Sequence, residues 1–331
     1  MNSRTNITVI VCTYNRSRTL AKTIESVASQ ILPQSLSWEL LVIDNNSSDD
    51  TRQVVEDFQR RYPERIRYSF EPQQGLSHAR NTGIRETRSE ILAFLDDDEI
   101  AVPAWLQSLT ASLHSGEWAG AGGRVLPEAT FSPPRWLLAS KCFTTGPLSS
   151  FDQGLDACEL NEPPFGANMA FRKAVFDELG AFRTDLGRSG TNMISNEDTE
   201  FGRRVMGAGL RLRYEPSAVT YHPVDQSRLQ KRYFLTWWYN KGRSDMREFG
   251  IEPHSKLFLG MPVRLLRSFV WQTARWLVSL KPAERFNRKL QIWASTGQIL
   301  ESRFRWLNAR QIGREGRTPS SLSAASIRKN S

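Results

Sequence analysis

Along the first hundred residues, short apolar runs alternate with stretches whose apolar positions recur every three or four residues. ITVIVCT at 7–13 is a β-branched run that predicts a buried strand. Residues 17–30 follow with Leu20, Ile24 and Val27 at helical spacing. ELLVI at 39–43 predicts a second buried strand that ends at Asp44. NNSSDDT then reads as a turn and helix cap, with Val54, Val55 and Phe58 on one face of the helix beyond it. Ser47 or Ser48 suits the cap, which leaves Asp44 free for other contacts. Residues 66–70 predict a short strand, Gly75 to Glu86 a helix, and ILAFL at 91–95 a third buried strand running into Asp96. Buried strands alternating with amphipathic helices imply an α/β fold with a parallel, doubly wound sheet. Such sheets bind ligands beyond the carboxyl ends of their strands. Three polar clusters fall there: Thr13-Tyr14-Asn15-Arg16, Asp44-Asn45-Asn46 and Asp96-Asp97-Asp98-Glu99.

Past residue 100 the pattern loosens. Trp105 to Leu113 and Arg172 to Leu179 predict helices, residues 119–125 a strand, and 126–164, rich in Pro, Gly and Ser, a long loop region. Asn196-Glu197-Asp198-Thr199-Glu200 opens a helix to Gly207, and 210–222 alternate as a strand ending at Tyr221-His222-Pro223. No internal repeat is evident. The chain divides into a catalytic domain at 1–225, a basic, aromatic-rich helical extension at 226–311 and a disordered tail at 312–331, which is polar and poor in aromatics.

Charge sharpens this division. Residues 1–200 carry 19 Lys/Arg and 27 Asp/Glu, whereas 201–331 carry 25 and 8. The acidic half suits a cation and the basic half an anionic surface. Cys12, Cys142 and Cys158 lack metal-ligand spacing, and an odd count without a recognisable signal peptide fits reduced thiols in the cytoplasm. No apolar run approaches the roughly 20 residues a membrane span needs.

Consecutive carboxylates at a strand end repel one another unless a cation or hydrogen bonds compensate. A hard divalent ion, Mg²⁺ or Mn²⁺, shares its coordination with substrate phosphates and fits Asp96 and Asp98, with His222 as a possible third ligand. An isolated acidic turn would instead simply be solvated. Asp44 suits a base or ribose. Glu197-Asp198 at a helix start is either a cap stabilised by the helix dipole or a general base. His78 and Arg80, in GLSHARNTGI, offer a cationic face to a diphosphate or lie solvated at the surface.

These pieces resemble the family-2 glycosyltransferases of GT-A fold. The match is carried by VIVCTYNR at 9–16, LLVIDNNSSDDT at 40–51, GLSHARNTGI at 75–84, FLDDDE at 94–99, FGANMAFRK at 165–173 and NEDTEFGRR at 196–204, over about residues 5–225. The resemblance implies that Thr13, Tyr14, Asn15 and Asp44 contact the nucleoside, with Arg16 and Asp97 on the same donor side. It implies that Asp96 and Asp98 bridge a metal and a diphosphate, joined by His222, and that Asp198 is the base of an inverting transfer. It places Gly166, Ala167, Asn168 and Glu197 on the acceptor side. Gln230-Lys231-Arg232-Tyr233-Phe234 departs from the Gln-x-x-Arg-Trp motif of processive relatives, so transfer of a single sugar is expected.

The extension mixes cations with aromatics at 228–249. At 262–280, Arg264, Arg267, Gln272, Arg275 and Ser279 fall mostly on one side of a helix, and Leu266, Phe269, Val270, Trp276, Leu277 and Leu280 on the other. That helix either lies in a membrane interface or packs on the core. The expected function is thus transfer from a nucleotide sugar, UDP favoured, to a glycan or polyprenyl-linked acceptor, peripheral on the inner face of the cytoplasmic membrane. Two rivals fare worse. A nucleotidyltransferase needs a Gly-rich, basic loop after the first strand, and CTYNRSRT has no glycine. A nucleic-acid-binding module would find the acidic first half repelling phosphates.

Overall fold

A computed structural model describes residues 6–128, 131–138 and 146–315. The first half is built as alternating strands and helices: β1 (Ile7–Thr13), α1 (Ser17–Ala28), β2 (Trp38–Asp44), α2 (Thr51–Arg61), β3 (Ile66–Phe70), α3 (Leu76–Glu86) and β4 (Ile91–Asp96). Then come β5 (Ile100–Ala101), α4 (Trp105–Thr110), β6 (Gly120–Pro127), α5 (Arg135–Leu138), β7 (Cys158–Glu159), β8 (Asn168–Arg172), α6 (Lys173–Leu179), α7 (Glu197–Gly207) and β9 (Leu212–His222). The extension follows as α8 (Lys231–Phe249), a hairpin of β10 (Leu257–Phe258) and β11 (Met261–Pro262), α9 (Val263–Leu277) and α10 (Pro282–Glu315).

Among the described residues, nine strands form one sheet in the order β3-β2-β1-β4-β8-β6-β9-β5, with β7 paired to β9. The run β3-β2-β1-β4 is parallel, while β8 enters antiparallel to both β4 and β6. The apolar runs become the buried strands: Val9, Val11, Leu40, Val42, Ala93 and Leu95 face one layer with Leu20, Ile24 and Val55. Ile10, Leu41, Ile43, Leu92 and Phe94 face the other with Ala79, Phe176 and Phe201. Burial of both faces explains why these strands read as continuous apolar runs. Register places Thr13 beside Asp44, and Cys12 beside both Ile43 and Asp96, so the three polar clusters emerge along one edge.

Several boundaries differ from the sequence reading. Residues 126–164 are not one loop: β6 runs to Pro127, and α5 and β7 interrupt the rest. The turn before α2 is held by Asp49, whose carboxylate accepts from the Thr51 amide at 3.1 Å, and not by Ser47 or Ser48. Helix α10 continues through Glu315, past the expected start of the tail, and the remainder of 312–331 and Cys142 lie outside the described residues.

The apolar side chains of α9 divide between two faces. Leu265, Leu266 and Phe269 pack against Met246 of α8 and Ile299 of α10. Val270, Trp271, Leu277 and Val278 face solvent, as does Leu280 just beyond. The helix is long enough to bury one stripe against its neighbours while presenting a second, which the sequence had merged into one. No helix among the described residues is long and apolar enough to cross a membrane.

Candidate active site

At the carboxyl edge of β1, β2 and β4 lies a cavity of about 450 Å³, lined by Thr13, Tyr14, Arg16, Arg80, Asp96, Asp97, Gly166, Ala167, Glu197 and Asp198. Tyr14 is exposed on its rim, whereas Asn15, also exposed, lines a neighbouring cleft with Arg16 and Asp98 and adopts a left-handed φ of 52° while its Oδ1 accepts from the Ser48 amide at 2.7 Å. Asp44 sits beneath the rim, buried. Its Oδ1 accepts from the Ser47 amide and its Oδ2 from the Tyr68 hydroxyl, each at 2.9 Å. It is therefore already partnered rather than free, and it stiffens the turn that carries the rim.

The three aspartates after β4 differ in surroundings. Asp96 is half-buried and faces the cavity, while Asp97 and Asp98 are buried. The Arg16 guanidinium spans the latter two, Nη1 lying 3.0 Å from Asp97 Oδ1 and 2.6 Å from Asp98 Oδ2. Burial pushes the Asp97 carboxyl up to about 7 against the pull of Arg16. Burial would raise Asp98 as well, but His222, Arg16 and Arg228 offset it and hold it below the usual range. His222 Nε2 lies 3.7 Å from Asp98 Oδ2 and 2.9 Å from Arg228 Nη1, and burial pushes the imidazole pKa down. A guanidinium only donates, so Nε2 presents a lone pair.

These residues suit a divalent cation. Donor atoms of Asp98, Glu99 and His222 lie within 4.8 Å of one another. Both Glu99 carboxyl oxygens are buried without a hydrogen-bond partner, and burial raises that carboxyl well above its ordinary value. Carboxylate oxygens and a neutral imidazole form a donor set acceptable to Mn²⁺. Asp96, one of the expected pair, stands apart from that cluster but on the same edge, toward the cavity. Glu99 had no place in the sequence reading as a ligand, although its position one residue beyond the aspartates was in plain view.

The far wall is organised by Arg80, which is 3 % exposed. It donates to Glu197 Oε1 at 2.9 Å, Asp96 Oδ1 at 3.1 Å and the Gly166 carbonyl at 3.2 Å. It is thus a tether between α3, β4 and α7, its charge matched by two carboxylates, and not an open cationic face. His78 is half-buried outside the cavity lining. Burial, with the neighbouring Asp198 charge, pushes Glu197 up to about 7 despite Arg80. Asp198 stands at the first turn of α7, where the helix N-terminus favours a carboxylate. Its Oδ2 accepts from the Gly166 amide and its Oδ1 from the Thr199 amide, both at 2.7 Å. Gly166 is required by closeness: a Cβ there would lie 2.6 Å from Arg80 Nη2 and 3.0 Å from Asp198 Oδ2. Gly166 and Ala167 line the cavity, but Asn168 does not. It is fully buried, and its amide joins Trp105 Nε1, the Arg124 carbonyl and the Ala218 carbonyl.

The extension closes the cavity. Trp237 and Lys241 of α8 line it, with Arg188 and Asn192 from the segment before α7. Asn196, at a left-handed φ of 78°, clamps that wall: its amide donates to Asp245 at 2.9 Å and Glu248 at 2.6 Å, and its Oδ1 accepts from Lys241 at 3.0 Å. Sequence reasoning grouped Trp237 and Lys241 with a basic surface. Their helical separation of four residues was the signal that they share a face.

A glycosyltransferase sequence model, "Glycosyl transferase family 2", matches residues 8–180. The succinoglycan biosynthesis protein ExoM of Rhizobium meliloti (strain 1021) is 27 % identical over 254 residues, covering 76 % of this chain and 78 % of that protein. The glucosyl-dolichyl phosphate glucuronosyltransferase of Haloferax volcanii is 24 % identical, covering 72 % and 77 %. Among solved structures, the mannosyltransferase PcManGT from Pyrobaculum calidifontis, in complex with GDP-Man and Mn²⁺, superposes with a TM-score of 0.54 at 17 % identity, covering 95 % of this chain and 80 % of that one. The fold is thus that of the GT-A enzymes. With a family match over more than half of its length and a cavity at the carboxyl edge of a mostly parallel sheet, the chain belongs to glycosyl transferase family 2 and is a glycosyltransferase.

Proposed function

We propose that the protein transfers a single sugar from a nucleoside diphosphate sugar, UDP favoured, to a hydroxyl of a lipid-linked or cell-surface glycan, with inversion at the anomeric carbon. The observation that carries this reading is that Asp198, held by the Gly166 amide, lines one cavity with Asp96 and Asp97. Exposed Tyr14, with Thr13 beside it, Asn15 at the adjoining cleft and Asp44 buried behind, receives the nucleoside. Mn²⁺ or Mg²⁺ held by Asp96, Asp98 and His222 would neutralise charge on the diphosphate as it leaves. Asp198 takes the proton of the acceptor hydroxyl as that oxygen attacks the anomeric carbon. Its two backbone N–H contacts fix its orientation. Attack by the acceptor oxygen as the diphosphate departs is a single displacement, which inverts the anomeric carbon. Glu197, tied to Arg80, holds the first turn of α7 in place.

The lipid-linked acceptor is favoured by the similarity to the glucosyl-dolichyl phosphate glucuronosyltransferase of Haloferax and by the exposed apolar stripe of α9 beside many arginines, which suits an enzyme peripheral on the inner face of the cytoplasmic membrane. Asp198→Asn should lower kcat by roughly 10²- to 10⁴-fold, the usual contribution of a general base. Binding of UDP or GDP, measured by calorimetry, should be retained. Transfer that persists at near wild-type rates would remove Asp198 from the role of base.

A further inference from the structure

Arg228 is the group in the site for which the proposed chemistry has no use. It projects from the turn Gln226–Leu229, between β9 and α8, and that turn is fixed by Asp225, whose Oδ1 accepts from the Ser227 amide at 2.6 Å. Its side chain is 13 % exposed. Nη1 lies 2.9 Å from His222 Nε2, and Nη2 lies 3.6 Å from Asp98 Oδ2. Both acceptor atoms belong to the proposed metal ligands.

The contact has a strict consequence. A neutral imidazole has a single lone pair, here on Nε2, and one lone pair serves a guanidinium or a metal ion but not both. Asp98 Oδ2 is contested too, since Arg16 Nη1 reaches it at 2.6 Å. Charge leads to the same point. Arg16 and Arg228 balance Asp97 and Asp98 in a largely buried cluster. A divalent cation arriving alone would set two charges beside those guanidiniums with Glu99 the one further carboxylate of the cluster to meet them, which is costly in a poorly solvated site. A diphosphate arriving with it restores the balance. There is also room for the displaced side chain: a cleft of about 560 Å³ is lined by Arg16, Asp98, Asp225 and Arg228.

We propose that Arg228 is the resident counter-cation of the metal ligands, occupying His222 and flanking Asp98 while the donor is absent and yielding them only when a divalent cation arrives together with a nucleoside diphosphate. This rests on the assignment of Asp98 and His222 as ligands made above. The enzyme then resists loading with metal alone, and metal and donor bind with positive coupling.

The test measures Mn²⁺ binding to the full chain by electron paramagnetic resonance of the free ion, with and without saturating UDP or GDP. Wild type, Arg228→Gln and Arg228→Met are compared with Arg18→Gln, a nearby charge that touches neither ligand. Wild type should bind Mn²⁺ about tenfold more tightly with UDP or GDP than without, within the usual range for coupled ligands. Arg228→Gln and Arg228→Met should bind Mn²⁺ alone about tenfold more tightly than wild type and gain less from nucleotide, with Arg18→Gln following wild type. Equal or weaker Mn²⁺ binding in both Arg228 variants, while Asp98→Ala still loses it, overturns the exchange and leaves the metal site standing. An equal gain in Arg18→Gln reduces the effect to net charge and overturns it as well. No Mn²⁺ binding by any of these proteins, with either nucleotide, overturns both readings.

Discussion

Arg80 shows how one side chain can make a site rigid without entering its chemistry. Its guanidinium lies between Glu197 and Asp96, with the Gly166 carbonyl on the same nitrogen as Asp96. Removing a buried cation strands its carboxylate partners, and breaking such a pair costs about 3–5 kcal/mol. Arg80→Met should therefore destabilise the protein by about that amount in urea unfolding. Glu197→Gln in the Arg80→Met background should recover part of the loss, because it removes the stranded charge. Strict additivity of the two substitutions would show that they do not interact. Such coupling is invisible in sequence. GLSHARNTGI and NEDTEFGRR are more than a hundred residues apart, and only the packing of α3 against the start of α7 brings Arg80 onto Glu197. The role of Asn168 was hidden for a related reason, since a polar residue two positions after Gly166 gives no hint that its amide turns into the core.

At the scale of elements, the extension depends on the crossing of α8 and α10. A Cβ at Gly242 would lie 1.9 Å from the Ala294 carbonyl oxygen, and one at Gly297 would lie 2.0 Å from that of Tyr239. Backbone meets backbone there, so no side-chain rotamer can relieve a clash. Gly242→Ala should cost about 3 kcal/mol or more, at the upper end of overpacking effects, and should lower the melting temperature. It should also impair transfer, because α8 carries Trp237 and Lys241 into the cavity. Unchanged stability would mean that the crossing is looser than described. The strands of the first half were legible because each is a buried run of one kind, bounded by polar residues. Helix α8 was not, because Tyr233, Phe234, Trp237, Trp238 and Tyr239 crowd several faces and blur any period.

At the scale of the whole molecule, exposed apolar side chains gather in the basic extension: Phe258 is 58 % exposed, Trp271 61 % and Leu280 94 %. The charge asymmetry read from the sequence thus acquires a hydrophobic counterpart, a combination that suits an anionic bilayer surface. Trp271→Glu combined with Leu277→Glu should reduce co-sedimentation with phosphatidylglycerol vesicles by about tenfold or more and leave the melting temperature unchanged, since neither side chain is buried. Binding that survives would place the contact elsewhere. These substitutions are a cleaner test than truncation, because loss of α10 would unseat α8 from the cavity wall. The clamp that Asn196 makes with Lys241, Asp245 and Glu248 has one more consequence. A chimaera that grafts a relative's helices onto residues 1–225 keeps the cavity wall in place only if those three anchor positions travel with the graft. Without them the borrowed wall has no fixed place beside Asp198, so exchange of this wall between relatives depends on a three-residue connector.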